Sequence, residues 1–221
     1  MTPDTNFNPD AAAEKPLAGH VYLVEDNQDV REHLATVLRH YGLTVATFAD
    51  VDAFIAGSVE VSPAVVLTDM VMPGQSGLDL LGRIRAAGWL APVIFISGHS
   101  EPHQIIEAMK KGAADFLWKP FSIDKLVSSI RKSLEADEKR LASRVRLLGV
   151  KDLFASLTER EQEIFRLAVA GYGNIEISKM IDVQPDTVKK HRGRVMEKMN
   201  ASSLAHLIEL YESLKNSLPA V

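Results

Sequence analysis

Apolar residues in the first 135 positions form five short runs separated by segments with a helical period. Turn residues bound the runs, a pattern typical of strands buried in a parallel sheet. The segment after Asp26 shows the helical period most clearly, because its apolar residues recur three and four positions apart. The predicted strands cover residues 21–24, 43–48, 64–69, 93–96 and 115–118. The predicted helices follow Asp26, span about residues 50–57, 77–87 and 102–110, and begin at Ser122.

The strict alternation of strands and helices predicts right-handed crossovers and a doubly wound α/β sheet. For five parallel strands we expect the flavodoxin-like order 2-1-3-4-5. That order places the ligand-binding crevice at the carboxyl ends of the first and third strands.

Polar side chains occupy the carboxyl ends of these strands. Glu25 and Asp26 follow the first strand, Asp69 ends the third, and Ser97 and Lys119 follow the fourth and fifth. A carboxylate is a competent nucleophile on phosphorus, and Mg²⁺ prefers a few carboxylates together with water and phosphate oxygens. A lysine and a serine would balance the charge of a phosphoryl group and hydrogen bond to it. This edge of the sheet is therefore predicted to be a phosphoryl-transfer site with bound Mg²⁺.

The remaining third of the chain shows only helical patterns. Thr158, with Glu161 three residues later, predicts a capped helix start. Asn174 is predicted to cap a second helix, and Pro185 to take the first position of a third. A fourth helix is expected from residue 202 or 203. Two short helices joined by a tight turn, the second of them basic, indicate a helix-turn-helix within a small all-α, four-helix domain.

A helical wheel of the third helix separates an apolar side from a basic side. Val188, Val195 and Met199 share one side, which is predicted to face the core. Lys190 and Arg194 lie opposite and are predicted to reach base edges in the major groove. The full set of residues predicted to face DNA is Lys189, Lys190, Arg192, Gly193, Arg194 and Lys198, with Arg192 and Lys198 assigned to phosphates.

Composition and charge narrow the class of protein. The chain has no cysteine, which excludes disulfides and thiolate metal sites. No apolar stretch approaches the roughly 18 residues of a membrane helix, so we expect a cytoplasmic protein without membrane contact. Residues 20–135 carry 14 acidic against 10 basic residues, a difference of −4, whereas residues 150–221 carry 10 of each. An acidic module is therefore expected to precede a neutral module with one basic stripe.

Four segments follow from these patterns. The expected organisation is a disordered tail (1–18), an α/β domain (19–135), a charged helical linker (136–153) and the helix-turn-helix domain (154–221). The tail is proline-rich and lacks the apolar core of a signal peptide. The linker is interpreted mainly as a spacer.

Four blocks of the α/β domain resemble, in order, the signature blocks of bacterial response-regulator receiver domains. They are VYLVEDNQDV, VVLTDMVMPGQSGLDLL, VIFISGH and AADFLWKPF. The resemblance implies that Asp69 accepts a phosphoryl group from a sensor histidine kinase. It also implies that Mg²⁺ is held by Glu25, Asp26, Asp69 and the backbone carbonyl of Val71.

The same resemblance implies a switch that responds to the phosphoryl group. Ser97 takes the hydroxyl switch position, Phe116 the aromatic switch position and Lys119 the phosphate-binding position. The peptide bond between Lys119 and Pro120 is expected to be cis, as is usual in the family.

The segment LTEREQEIFRLAVAGYGNIEISKMIDVQPDTVKKHRGRVMEKMNASSLAHLIEL resembles the LuxR-type output domain. Its pairing with a receiver is similar to the FixJ/NarL subfamily. The resemblance implies a transcription regulator that dimerises on phosphorylation and binds double-stranded promoter DNA. RNA polymerase is the further partner expected, and activation of transcription the expected outcome.

Two other classes of protein share part of this pattern. Phosphatases of the haloacid-dehalogenase type also place a nucleophilic Asp after a buried strand. They need a second Asp two positions later, where this chain has Val71. An output domain that binds protein instead of DNA is the second alternative, and the basic stripe at residues 189–198 argues against it.

Overall fold

A computed structural model describes residues 17–98 and 100–215. The chain divides into two compact units, Met1–Leu141 and Ala142–Val221. Most of the predicted tail, residues 1–16, lies outside the described residues. Leu17 is buried, and its backbone N–H donates to the carbonyl of Tyr41. No helix among the described residues is long and apolar enough to cross a membrane.

The first unit alternates strands and helices as predicted. The strands are β1 (His20–Val24), β2 (Thr44–Phe48), β3 (Ala64–Asp69), β4 (Val93–Ser97) and β5 (Asp115–Trp118). The helices are α1 (Gln28–His40), α2 (Val51–Gly57), α3 (Gly77–Ala86), α4 (Pro102–Lys110) and α5 (Ile123–Ala155). All neighbouring strands pair in parallel, in the order β2-β1-β3-β4-β5. The predicted flavodoxin-like sheet is therefore confirmed.

Alternate residues of the central strands enter two separate cores. Val21 and Leu23 of β1 pack with α1 and α5 on one face of the sheet. Tyr22 and Val24 pack with α2, α3 and α4 on the other face. Every residue of β3 and β4 is buried, which explains why these strands appear in the sequence as nearly continuous apolar runs.

Gly77 allows α3 to begin directly against the end of β3. A Cβ atom on residue 77 would lie 2.4 Å from the backbone oxygen of Asp69, closer than any side chain can approach. The N–H of Gly77 donates to the carbonyl of Met70 at 3.1 Å. Since only glycine fits this contact, the residue fixes the backbone immediately after Asp69.

The second unit contains the end of α5 and α6 (Glu159–Val169), α7 (Asn174–Met180), α8 (Pro185–Lys198) and α9 (Leu204–Lys215). Thr158 and Glu161 form the predicted capping box, and Pro185 occupies the first turn of α8. The predicted cap of α7 was wrong by one position. Gly173 is the N-cap, and its N–H donates to the Glu176 side chain at 2.7 Å, so Asn174 is already helical.

The segment predicted as a linker lies within α5, which is 33 residues long. Asp137 on this helix is buried, with 1% of its surface exposed. Its carboxylate accepts hydrogen bonds from Ser62 Oγ (2.7 Å), the N–H of Ala64 (3.0 Å) and Arg140 (2.6 Å). These contacts attach α5 to the first residue of β3, the strand that ends in Asp69.

Candidate functional site

The acidic residues predicted at the sheet edge lie together in the structure. Glu25 directly follows β1, Asp26 is the next residue, and Asp69 ends the neighbouring strand β3. One carboxylate oxygen from each of the three lies within 4.8 Å of the others. Glu25 and Asp69 are buried and Asp26 is exposed, so the cluster opens to solvent on one side.

Lys119 joins two of these acids. Its Nζ donates to Asp69 Oδ2 at 2.6 Å and to Glu25 Oε2 at 2.8 Å. Burial by itself would lower the pKa of Lys119, but the hydrogen bonds that Lys119 donates to Asp69 and Glu25 outweigh burial and raise that pKa. The lysine is therefore held in its charged form at the site. The peptide bond from Lys119 to Pro120 is cis, as the family resemblance implies.

Burial controls the ionisation of Glu25. Only 1% of this residue is exposed, and the loss of water raises the pKa of its carboxyl. The hydrogen bond from Lys119 lowers the pKa, and the nearby charge of Asp69 raises it further. Burial is the larger effect, so the charged form of Glu25 is costly in a cluster that brings three carboxyl groups together around one lysine.

This donor set suits a hard divalent cation. The available ligands are carboxylate oxygens and backbone carbonyls, which are the ligands of Mg²⁺ in proteins. Asp69 Oδ1 accepts the N–H of Val71 at 2.9 Å, so the loop that carries the predicted carbonyl ligand is bonded to the same carboxylate. Glu25, Asp26, Asp69 and the carbonyl of Val71 would hold the ion, and these assignments stay predictions.

The predicted switch residues lie on β4 and β5, the two strands that follow β3 in the sheet. Ser97 ends β4 and is 1% exposed, and its Oγ accepts a hydrogen bond from Ser100 Oγ at 2.8 Å. Phe116 is half-buried in β5, with its ring centroid 5.2 Å from that of the exposed Trp118. The interpretation of the sequence did not include Ser100, since a serine beyond a strand end is an ordinary turn residue.

Arg31 is a second residue near the site that the sequence did not indicate. It lies in the first turns of α1, and its Nη1 donates to the backbone carbonyls of Glu25 (2.6 Å) and Asp26 (3.2 Å). The sequence places it five residues after an acidic pair, a spacing that any solvent-facing helical arginine could share. Only the fold brings its guanidinium to those carbonyls.

Helix α8 presents the predicted basic side to solvent. Val188, Val195 and Met199 are buried, which confirms the predicted core side. The side chains of Lys189, Lys190 and Arg194 are exposed, as is Gly193. Within the described part of the chain, these three cations have no hydrogen-bonded or ionic partner, so they are available to phosphates and base edges.

The two residues assigned to DNA phosphates have partners inside the protein. Arg192 Nη1 donates to Asn174 Oδ1 at 2.9 Å, at a groove formed by the starts of α7 and α8. Lys198 Nζ donates to the buried carboxylate of Glu161 at 2.6 Å and to the carbonyl of Ser156 at 3.3 Å. The DNA contact of Lys198 stays a prediction, but the structure gives its ammonium group another role.

Family comparisons divide the chain in the same way as the fold does. Residues 21–131 match the response regulator receiver domain. Residues 155–211 match the luxR family of bacterial regulatory proteins. The matches therefore cover the α/β unit with the acidic cluster and the helical unit with the basic helix.

Similar proteins extend over nearly the whole chain. The response regulator TodT of Pseudomonas putida is 33% identical over 201 residues, covering 91% of this chain and 88% of TodT. The transcriptional regulatory protein FixJ of Rhizobium meliloti is 36% identical over 193 residues, covering 86% and 93%.

Solved structures show the same relationship. The response regulator StyR is 35% identical, with a TM-score of 0.78 and coverage of 88% of this chain and 98% of that one. Full-length FixJ from B. japonicum is 33% identical, with a TM-score of 0.56 and coverage of 90% and 98%. The chain therefore belongs to the two-component response regulators that join a receiver domain to a luxR-family helix-turn-helix, and it is a phosphorylation-controlled DNA-binding transcription regulator.

Proposed function

We propose that Asp69 accepts a phosphoryl group from a sensor histidine kinase and that the modified protein dimerises on promoter DNA to activate transcription. The observation that carries this proposal is the position of Asp69, which is hydrogen bonded to Lys119 and lies within reach of two further carboxylates. The receiver would comprise residues 19–135, the helical linker 136–153 and the DNA-binding domain 154–221.

The phosphoryl transfer requires a carboxylate oxygen of Asp69 to attack phosphorus. The phosphorus–nitrogen bond of a kinase phosphohistidine breaks as the new phosphorus–oxygen bond forms, and the electron pair of the broken bond stays on the imidazole. Mg²⁺ bound by Glu25, Asp26, Asp69 and the Val71 carbonyl would neutralise charge between the carboxylates and the phosphoryl group. Lys119, already charged and bonded to Asp69, is placed to donate a hydrogen bond to a phosphoryl oxygen.

A small conformational switch would follow. Ser97 would move towards the new phosphoryl oxygens, and the half-buried ring of Phe116 would turn into the space behind it. Helix α4 and the edge strand β5 carry three exposed apolar side chains, Ile106, Met109 and Trp118, which are 55%, 49% and 46% exposed. Large exposed apolar residues on two consecutive elements are typical of a protein contact, and we assign the surface of α4 and β5 to the dimer.

The second unit would bind DNA through α8. Lys190 and Arg194 would read base edges, and Lys189 and Arg192 would contact phosphates, with Gly193 at the closest approach. Lys198 would stay bonded to Glu161. A dimer would place two such helices on adjacent half-sites. RNA polymerase would then be recruited at the promoter.

The decisive experiment combines phosphorylation with sedimentation. With Mg²⁺ and acetyl phosphate, the wild-type chain should gain one phosphoryl group, which is lost in mild base, and should sediment as a dimer. Asp69→Asn should gain none and stay a monomer, because an amide oxygen cannot form the acyl phosphate. Ser129→Ala, remote from the acidic cluster in sequence and hydrogen bonded to Asp115, provides a control that should be labelled normally. Full labelling of Asp69→Asn would refute the site.

A further inference from the structure

Arg31 contacts the backbone of both acidic residues that precede α1. The same nitrogen, Nη1, donates to the carbonyl of Glu25 at 2.6 Å and to that of Asp26 at 3.2 Å. The arginine is half-buried, and its own N–H donates to the carbonyl of Asn27 as part of α1. The loop from Glu25 to Asn27 is therefore held by the helix that follows it.

We infer that Arg31 is a positioning residue for the magnesium site. It fixes the backbone of Glu25 and Asp26, and so fixes where their carboxylates lie, without offering a ligand itself. The inference rests on the proposed function, because it assumes that these carboxylates bind Mg²⁺. Some residues hydrogen bond to metal ligands and orient them without binding the metal. Replacing such a residue commonly weakens metal affinity by about 10-fold to 100-fold.

Asp26 has the greatest need of such support. Its side chain is exposed, whereas Glu25 is buried and already bonded to Lys119. An exposed carboxylate on a free loop would lose conformational entropy each time the ion bound. A loop held in advance loses less, which favours binding.

The charge of Arg31 acts in the opposite direction. A guanidinium close to a divalent cation repels it, so charge alone would make arginine unfavourable for Mg²⁺. The two effects predict different results for two substitutions. Loss of positioning weakens binding in both Arg31→Gln and Arg31→Lys, whereas loss of repulsion strengthens binding in Arg31→Gln and leaves Arg31→Lys unchanged.

Helix α1 offers a matched control. Arg39 lies on the same helix, and its Nη2 donates to the backbone carbonyl of Val45 at 3.1 Å, a residue of β2 that takes no part in the acidic cluster. Arg39→Gln removes one arginine–carbonyl bond from α1 and one positive charge. Arg39→Gln therefore reproduces the loss of charge and of one hydrogen bond on α1, but it leaves the loop from Glu25 to Asn27 unchanged.

Mg²⁺ binding to the full-length protein, measured by isothermal titration calorimetry, tests the inference. Arg31→Gln should raise the dissociation constant about tenfold or more, Arg31→Lys should raise it less, and Arg39→Gln should leave it at the wild-type value. In phosphorylation by acetyl phosphate, Arg31→Gln should need more Mg²⁺ for half-maximal rate but approach the wild-type rate at saturating Mg²⁺. If Arg31→Gln does not fold, as judged by circular dichroism, Arg31→Lys decides.

Three outcomes would overturn the inference. Arg31→Gln could bind Mg²⁺ as tightly as the wild type or more tightly, which would make charge the dominant effect. Arg39→Gln could weaken binding equally, which would reduce Arg31 to general support of α1. If the wild-type chain itself bound no Mg²⁺, the proposed metal site would fail and this inference with it. The first two outcomes contradict only the role of Arg31 and leave the proposed function intact. Failure of the inference is therefore distinguishable from failure of the proposed function.

Discussion

Each unit of the protein contains one buried glutamate paired with one lysine, and the two pairs differ in their ionisation. Glu25 pairs with Lys119 at 2.8 Å and Glu161 pairs with Lys198 at 2.6 Å, and both glutamates are at most 2% exposed. Burial raises the pKa of Glu25 above its ordinary value. Hydrogen bonds from Lys198 and from the N–H of Thr158 lower the pKa of Glu161 to about 2.

The difference follows from the other groups around each carboxylate. Glu161 accepts the N–H of Thr158 at 2.9 Å in the capping box of α6. Among the described residues, Glu161 is the only carboxylate that pairs with Lys198. Glu25 shares its lysine with Asp69, and its other hydrogen bond, from the N–H of Asn27, is long at 3.4 Å. Glu161 therefore has two close donors, whereas Glu25 has one close donor, which it shares with Asp69.

The surroundings of the two glutamates distinguish a structural ion pair from a binding site. A buried carboxylate with a lowered pKa stabilises the folded state at neutral pH, because the fold prefers its charged form. A buried carboxylate with a raised pKa destabilises the folded state when it is charged, and such groups are concentrated at functional sites. By this criterion Glu161 resembles a structural residue and Glu25 a residue of a binding site.

The largest expected effect is on the stability of the second unit. Glu161→Ala removes the capping box and leaves Lys198 without its buried partner, so the free energy of unfolding should fall by about 2–3 kcal/mol. Urea unfolding of the full chain, with hydrogen exchange to localise the change to α6 and α8, would measure it. A change below about 0.5 kcal/mol would show that the ion pair contributes little.

The pH dependence of stability tests whether the ionised carboxylate of Glu161 is responsible for this effect. A folded pKa of about 2, against an ordinary value of 4.5, means that the contribution of Glu161 is complete above pH 4.5. This contribution should be lost as the pH falls from 4.5 towards about 2. Glu161→Gln should lack this part of the acid-induced loss of stability, whereas Asp52→Asn, a change of an exposed carboxylate in the first unit, should keep it. Equal acid sensitivity of the wild type and Glu161→Gln would contradict the assignment.

The next largest effect is expected from Glu25→Gln, which should weaken metal binding while leaving stability nearly unchanged. Because the folded pKa of Glu25 is raised, its charge is unfavourable in the fold, and Glu25→Gln should change the free energy of unfolding by less than about 1 kcal/mol. The same substitution removes one predicted ligand charge and should weaken Mg²⁺ binding at least about tenfold, or 1.4 kcal/mol. Calorimetric titration and urea unfolding of one preparation would give both values.

Glu32→Gln is the matched control, since Glu32 is an exposed glutamate on α1 whose carboxylate accepts a hydrogen bond only from Gln28 among the described residues. It should change neither Mg²⁺ binding nor stability. A destabilised Glu25→Gln with unchanged Mg²⁺ affinity would reverse the comparison and make Glu25 a structural residue.

The fold and the acidic cluster were predictable because both depend on local pattern. The buried strands β3 and β4 must be apolar on both faces, so their runs and the polar residues that follow them are visible in the sequence. Parallel strands deliver their carboxyl ends to one edge, and therefore Glu25, Asp69 and Lys119 had to lie close together.

The remaining features depend on contacts between distant residues. A charged residue at position 137 resembles any solvent-facing position of a helix, yet Asp137 bonds to Ser62 and Ala64, which are more than 70 residues away. The interpretation of residues 136–153 as a spacer did not anticipate this contact. Similarly, a helical wheel gives the direction of Lys198 but cannot reveal that Glu161 lies there.

The smallest expected effect distinguishes two lysines of α8 by their partners. Lys189 is exposed, so Lys189→Gln should remove one phosphate contact and reduce the slope of log affinity against log salt by about 0.9. Lys198 is bonded to Glu161, so Lys198→Gln should leave that slope unchanged and lower the stability of the second unit. Binding to random-sequence duplex DNA across a series of salt concentrations measures both, and the pair forms its own control because charge and helix are the same. An equal reduction of the slope by Lys198→Gln would mean that Lys198 leaves Glu161 for a phosphate, as the helical wheel alone predicted.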